Sequence, residues 1–233
     1  AERATDDGGL ELLCSTQAVD KTQKLVSYVT GAPCNKVVVK CRRMGGGFGG
    51  KETRSVFASC ACALAAHLLR RPVRLSLRRD VDMGTTGGRH PFIATYTAAA
   101  RPDPSGGPPK LAALDVRLHS NGGAFLDLSI PVLDRALLHV DNSYLWPAFR
   151  ARGVVCRTHT PPTTAFRGFG GPQGLLTAEH IIEHLASALD VPALELRAAN
   201  LYAAGDEVPF GQTLSPNEWR VPRAWAQLRK DAQ

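Results

Sequence analysis

The sequence predicts an α+β fold, and three observations carry that prediction. Short apolar, β-branched runs such as Val37-Val38-Val39 are mixed with longer helical stretches without a regular strand-helix-strand alternation. Two strand-like runs, 91–99 and 111–119, face each other across a connection holding four Pro and two Gly between residues 101 and 110, which reads as a surface loop. And 233 residues, 44% of them hydrophobic, suffice for a real core, since a chain of this size buries about 70–75% of its unfolded surface.

Taken in order, Leu10 to Ser15 reads as a short strand and Thr16 to Gly31 as a helix stopped by Gly31 and Pro33. Asn35 to Arg42 is a strand running into Gly45-Gly46-Gly47-Phe48-Gly49-Gly50. Ser55 to Leu69, apolar nearly all round and rich in small residues, predicts a helix buried on every side. Pro72 to Leu77 reads as another strand, Pro131 to His139 as a short helix and Gly153 to Arg157 as a strand. Gly171 to Leu189, opened by Pro172 and closed before Val191-Pro192, is the clearest helix, and shorter ones follow at 193–201 and 221–230.

Several function classes are excluded by composition. The formal charge of +7 favours anionic partners, but its arginines come as scattered pairs (Arg42-Arg43, Arg70-Arg71, Arg78-Arg79) without interleaved aromatics, which argues against nucleic acid. No run approaches the roughly 20 apolar residues that span a bilayer, and the first residues lack a signal peptide's apolar stretch, so the expectation is a soluble, intracellular chain with no membrane partner. The six cysteines include no Cys-x-x-Cys and no His at finger spacing, so no side-chain metal site is written locally and reduced thiols are expected, with Cys60 and Cys62 as small core residues.

Chemistry concentrates in a repetition. Gly-Phe-Gly-Gly occurs at 47–50 and again at 168–171, each time shortly after an arginine (Arg43, Arg167) and each time leading into a helix. Glycines admit a ligand close to the backbone and a helix start offers N–H donors, so two such loops suit one anionic ligand gripped from two sides. Two decoys lie nearby. Gly45 to Lys51 nearly matches the phosphate-binding loop, but Glu52 stands where the Mg²⁺-holding hydroxyl belongs. His180-Ile-Ile-Glu183-His184 fits an inverted zinc-protease pattern, but the 3.6-residue period buries Leu175, Ala178, Ile181, Ile182, Leu185 and Leu189 and turns His180, Glu183 and His184 to solvent.

Four stretches in this order, 42–55 (Arg-Arg-Met-Gly-Gly-Gly-Phe-Gly-Gly-Lys-Glu-Thr-Arg-Ser), 86–92 (Thr-Gly-Gly-Arg-His-Pro-Phe), 134–142 (Asp-Arg-Ala-Leu-Leu-His-Val-Asp-Asn) and 164–173 (Thr-Ala-Phe-Arg-Gly-Phe-Gly-Gly-Pro-Gln), resemble the molybdenum-binding part of the xanthine dehydrogenase/oxidase family of molybdenum hydroxylases. The resemblance implies a molybdenum held by a molybdopterin dithiolene. It places Phe48, Gly49 and Arg167 against that cofactor, Glu52 and Arg135 on the polar edges of a purine, and Phe169 stacked on the purine ring. It implies residues 1–205 as part of a first molybdopterin-binding domain and 206–233 as a connection toward a second. The general-base glutamate, the 2Fe-2S and FAD domains, electron transfer to NAD⁺ or oxygen, a homodimer and a cytoplasmic or peroxisomal location all belong to the longer polypeptide it implies, so the isolated chain is expected to be inactive. An aldehyde oxidase-like hydroxylase and a non-catalytic anion- or phosphate-binding module are the alternatives. Aldehyde oxidases typically lack the paired glutamate and arginine, so Glu52 with Arg135 favours a purine.

Overall fold

A computed structural model describes residues 2–4 and 9–232. The chain divides into two compact units, one made of Ala1–His90, Asn121–Ser129 and Cys156–Arg167, the other of Pro91–Ser120, Ile130–Val155 and Gly168–Gln233.

The first unit holds a three-stranded sheet in the order β1 (Glu2–Ala4), β2 (Leu10–Leu13), β3 (Val37–Lys40). β2 and β3 are parallel with Leu10 opposite Val37, so the chain needs a crossover, and helix α1 (Val19–Thr30) supplies it. Gly31, left-handed at φ 72, closes α1 by donating its N–H to Ser27. Leu10, Leu12, Val26, Val37 and Ala63 form the core between sheet and helices. Ala63 belongs to α2 (Val56–Leu69), which is not buried on every side: Val56, Ser59, Cys62, Ala63 and Ala66 face inward, while Phe57, Leu68 and Leu69 are exposed. Small side chains let one face of α2 sit close to the sheet. Cys62 is buried and Cys60 packs on the core, and neither is in a disulfide among the described residues.

Residues 72–77 have strand patterning but form no strand, because only Val73 makes a bridge and no ladder partner lies among the described residues. Directly after them comes α3 (Arg79–Thr86), a helix the sequence reading missed; Gly84 inside it masks its helical character.

In the second unit the sheet runs β4 (Phe92–Arg101), β5 (Lys110–Gly123), β6 (Ala148–Arg157), the last two lying in the unit except for their final residues. β4 and β5 are antiparallel, and the register shift between Ala99 and Ala100 leaves Ala112 as an extra residue on β5. Leu111, Leu114, Val116 and Leu118 pack with Ile181, Ile182 and Ala186 of α5 (Gly171–Ala188) and with Ala136 of α4 (Ser129–Leu137). Leu196 of α6 (Ala193–Ala199) joins them, and α7 (Val221–Asp231) ends the chain. On α5 the inward stripe is narrower than its period suggests, since Leu175 and Leu189 are partly exposed. His180, Glu183 and His184 do face solvent; Glu183 pairs with Arg197 and His184 bonds the Tyr96 hydroxyl.

Candidate functional site

The repeated tetrapeptide is a repeated structure. In each copy the fourth residue donates its N–H to the first carbonyl, Gly50 to Gly47 at 2.9 Å and Gly171 to Gly168 at 3.0 Å. Both central residues have positive φ: Phe48 at 52° with Gly49 at 90°, and Phe169 at 51° with Gly170 at 97°. These are turns of type I′ character, and each holds a phenylalanine where a side chain costs about 1–2 kcal/mol. The glycines beside them are obligatory, because a Cβ on Gly49 would come within 2.7 Å of the Ala165 carbonyl and one on Gly170 would fall inside the Val132 carbonyl. Two bulky left-handed residues at equivalent positions mark strain held by the surrounding fold, as binding sites often show.

In the first unit three of the four motif stretches meet. Arg167 donates its backbone N–H to the Phe48 carbonyl at 2.9 Å, and Thr164 does the same to Gly88 at 3.0 Å. Arg89 donates from Nη2 to the Arg167 carbonyl at 2.7 Å while its guanidinium lies 4.8 Å over the Phe166 ring. Arg54 reaches from Nε and Nη2 to the carbonyls of Thr86 and Thr85, and burial lowers its pKa against the opposing pull of Asp127. The structure thus brings together Phe48, Gly49 and Arg167, the three residues assigned to the cofactor. Beside them opens a cleft of about 360 Å³, lined among others by Gly45 to Phe48, Lys51, Thr86 and Phe166, with Arg79, Asp82 and Met83 contributed by α3.

One sequence expectation is corrected here. The first loop does not run straight into a helix: Lys51 to Ser55 form further turns, and α2 starts at Val56. The N–H groups of Gly49, Gly50, Lys51 and Glu52 are all taken within the protein, by Gln17 Oε1, the Gly47 carbonyl, Gln17 Oε1 again and the Gly49 carbonyl. A phosphate-cradling loop needs those donors free, so the near-match to that motif fails on geometry as well as on Glu52. What the loop offers a ligand is surface. Phe48 is 62% exposed, and a Cβ at Gly45 would meet nothing within 4 Å. The second loop keeps the expected form, with α5 beginning at Gly171 and Pro172 in its first turn.

In the second unit Arg135, near the C-terminal end of α4, is exposed, and its Nε lies 3.8 Å from the position a Cβ on Gly171 would take. Close approach of the two helices sets that distance: Gly170 and Gly174 bring α5 against the α4 backbone at Val132, about one turn before Arg135, and at Ala136, the residue after it. The half-buried Phe169 precedes this contact by one residue. Among the described residues the side chains of Glu52, Arg135 and Arg167 make no ion pair within their own units.

Sequence reasoning passed over Gln17, Arg89 and His90. His90 is buried with Ser129 Oγ at 2.8 Å from Nε2, and burial pushes its pKa down to about 4 despite the nearby Asp127. Arg89 and His90 sat inside a quoted motif without a role. For Gln17 only the three-dimensional path of the 47–51 loop gives a signal.

A strained aromatic turn, an open glycine face and the Arg167 guanidinium, which makes no ion pair among the described residues of its unit, fit a flat, anionic, ring-bearing group. The family model for the molybdopterin cofactor-binding domain matches residues 1–201, and the chain belongs to that family. It is 47% identical over 226 residues to a xanthine dehydrogenase/oxidase of Rattus norvegicus and 45% identical over 228 residues to a xanthine dehydrogenase of Emericella nidulans. Those alignments cover 97% and 98% of this chain, which spans 16% of the length of each of these relatives. The aldehyde oxidoreductase from Desulfovibrio gigas superposes with a TM-score of 0.82 at 27% identity, covering 99% of this chain and 24% of that one.

Proposed function

We propose that this chain carries the substrate clamp and part of the cofactor grip of a molybdenum-dependent hydroxylase that oxidises hypoxanthine and xanthine toward urate. The observation that carries the reading is Arg135 beside the start of α5, next to the Phe169 turn, in a chain so similar to xanthine dehydrogenases. A guanidinium beside the start of α5 and an aromatic residue in the turn that precedes it suit a purine, which offers a π-face and a polar edge.

Phe48, Gly49 and Arg167 would hold the molybdenum–molybdopterin group, which when bound supplies the redox centre and the oxygen that is transferred. Phe48 gives it an apolar wall, Gly49 allows close approach, and Arg167 balances its negative charge. Phe169 fixes the purine plane by stacking, which orients the carbon that is attacked. As oxygen adds there and the hydride equivalent is given up to the redox centre that the bound group would supply, negative charge would grow on the heterocycle, and Arg135 would stabilise it; a preorganised cation of this kind contributes about 10²–10³-fold in rate. Glu52 hydrogen-bonds the polar edge of the purine, selecting its orientation. The carboxyl and guanidinium together favour a purine over an aldehyde.

Residues 206–233 lead toward further cofactor-binding structure on this reading, and iron–sulfur and FAD domains of the same protein carry electrons to NAD⁺ or oxygen. A homodimer and a cytoplasmic location go with it. Among the described residues no helix is long and apolar enough to cross a membrane. The test compares xanthine and aldehyde turnover by the full-length protein and its Arg135→Met variant. Xanthine turnover should fall at least 100-fold, on the order expected for losing one preorganised charge. Unchanged xanthine turnover with no rise in aldehyde turnover would overturn the purine assignment.

A further inference from the structure

α3 forms one wall of the cleft beside Phe48, through Arg79, Asp82, Met83 and Thr86. Its own make-up does not secure that wall. The helix is eight residues long, contains Gly84 and has no buried residue, so neither propensity nor packing on a core holds it in place. Its internal bonds, Arg79 to Asp82 and the Thr85 and Thr86 hydroxyls to the Val81 and Asp82 carbonyls, tie the helix only to itself. Arg54 supplies the attachment. Its Nε and Nη2 donate to the carbonyls of Thr86 and Thr85, the last two residues of the helix, both at 3.2 Å. Among the described residues the next hydrogen bond to another segment comes after the helix, where the Gly88 carbonyl accepts from Thr164 N–H at 3.0 Å.

Arg54 is itself immobilised. Its guanidinium carbon lies 4.9 Å from the Phe125 ring centre and 5.8 Å from that of Phe57, in the first turn of α2. The residue type follows from the task. A planar guanidinium stacks on rings by its face while its edge gives two N–H groups to neighbouring carbonyls, which an ammonium cannot do. A cation also suits carbonyls at a helix C-terminus, where the negative end of the dipole lies. The next residue is pinned as well, with Ser55 Oγ donating to Thr16 Oγ1 at 3.0 Å. We infer that Arg54 is a positioning residue for the cleft: by clasping the last two carbonyls of α3 it keeps that helix as the wall beside the Phe48 turn, and so retains the cofactor there. The retention half of this inference rests on the proposed function, which seats the molybdenum–pterin group against Phe48.

The experiment uses the full-length protein as wild type, Arg54→Met, Arg54→Lys and Tyr144→Phe, with two readouts: hydrogen exchange of residues 79–86, and the rate at which bound pterin is released at one elevated temperature. Methionine keeps an unbranched chain beside the rings and removes both donors and the charge. Lysine keeps the charge but offers a point donor in place of the planar pair. Tyr144→Phe deletes a hydrogen bond to Glu179, neither of which lines the cleft, and controls for a general loss of stability. Arg54→Met should exchange the α3 amides about tenfold faster or more, since losing two charged hydrogen bonds frees local opening. Pterin release should quicken by a similar factor, roughly tenfold, because release past a wall scales with how often the wall opens. Arg54→Lys should fall between, and Tyr144→Phe should match the wild type in both readouts. Exchange of α3 in Arg54→Met within about threefold of wild type overturns the inference. So does faster exchange with pterin release unchanged, or release from Tyr144→Phe as fast as from Arg54→Met. Full wild-type behaviour in Arg54→Lys would overturn the two-carbonyl clasp. If the wild type holds no pterin, the proposed function fails and retention with it, while α3 exchange still decides whether Arg54 holds the helix.

Discussion

Replacing Gly170 by alanine tests whether the α4–α5 contact is what holds Arg135 in place. Two costs add. At φ 97 a side chain is strained by about 1–2 kcal/mol. The new Cβ would also fall inside the Val132 carbonyl and 3.1 Å from Ala136 N, both backbone atoms of α4, so the helix itself must shift, an overpacking cost of about 1–3 kcal/mol. The sum of about 2–5 kcal/mol corresponds to roughly 30-fold to several thousand-fold more frequent local opening, at about 1.4 kcal/mol per factor of ten. The assay is hydrogen exchange of α4 amides in the full-length protein, with xanthine KM measured beside it. Gly174→Ala has only the steric part of the cost, against the Ala136 carbonyl, and should fall between wild type and Gly170→Ala. Gly84→Ala in α3, where a Cβ meets nothing within 4 Å, should slow exchange in its own helix, because alanine gains about 1 kcal/mol of helix propensity. If α4 exchanges in Gly170→Ala within about threefold of wild type, the close approach does not position Arg135 and the argument is refuted.

Other outcomes follow from single contacts. Phe48→Gly removes the strain of a left-handed phenylalanine, so the protein should be no less stable to heat while its pterin content falls; full pterin content would remove Phe48 from the cofactor grip. With His90 depressed to about 4 in the fold against 6.5 unfolded, only the unfolded chain gains this proton between those values. Stability should therefore be unaffected by this group above pH 6.5 and decline by up to roughly 3 kcal/mol as pH falls toward 4. Urea titrations at stepped pH should show that decline flattened in His90→Gln, and an identical decline in both would contradict it. Tyr144→Phe deletes a 2.7 Å bond to Glu179, which Asn142 and Arg197 still hold, and should cost about 1.5 kcal/mol by the same titration; a neutral outcome would show that water replaces the hydroxyl.

Patterns within one element were legible in the sequence; features made by distant residues were not. The Val37-Val38-Val39 strand, the α5 helix and the surface loop at 101–110 declare themselves through local periodicity and turn residues. Residues 72–77 read equally well as a strand, but a strand exists only with a ladder partner, and none lies among the described residues. α3 was hidden because Gly84 and two threonines dilute a short helix that its surroundings stabilise. The Gly-Phe-Gly-Gly repeat signalled paired loops, and each is a turn of the same shape. The sequence could not show that the amides of the first loop are already used, because their acceptor, Gln17, lies 32 residues from Gly49. Arg167 meets Phe48 through a backbone hydrogen bond in the first unit, and Arg135 lies beside the start of α5, two residues after Phe169, in the second.

The central claim is that Glu52 and Arg135 act on a purine beside a molybdenum–pterin group held by the glycine loops. Its most direct test is molybdenum and pterin analysis with xanthine turnover for the full-length protein, wild type beside Glu52→Gln. The account predicts stoichiometric molybdenum and pterin in both proteins, urate formed by the wild type, and a rate reduced by at least about tenfold in the variant, as for loss of an orienting hydrogen bond to the substrate. Absence of the pterin from the wild type, or urate formed equally fast by both, would contradict it.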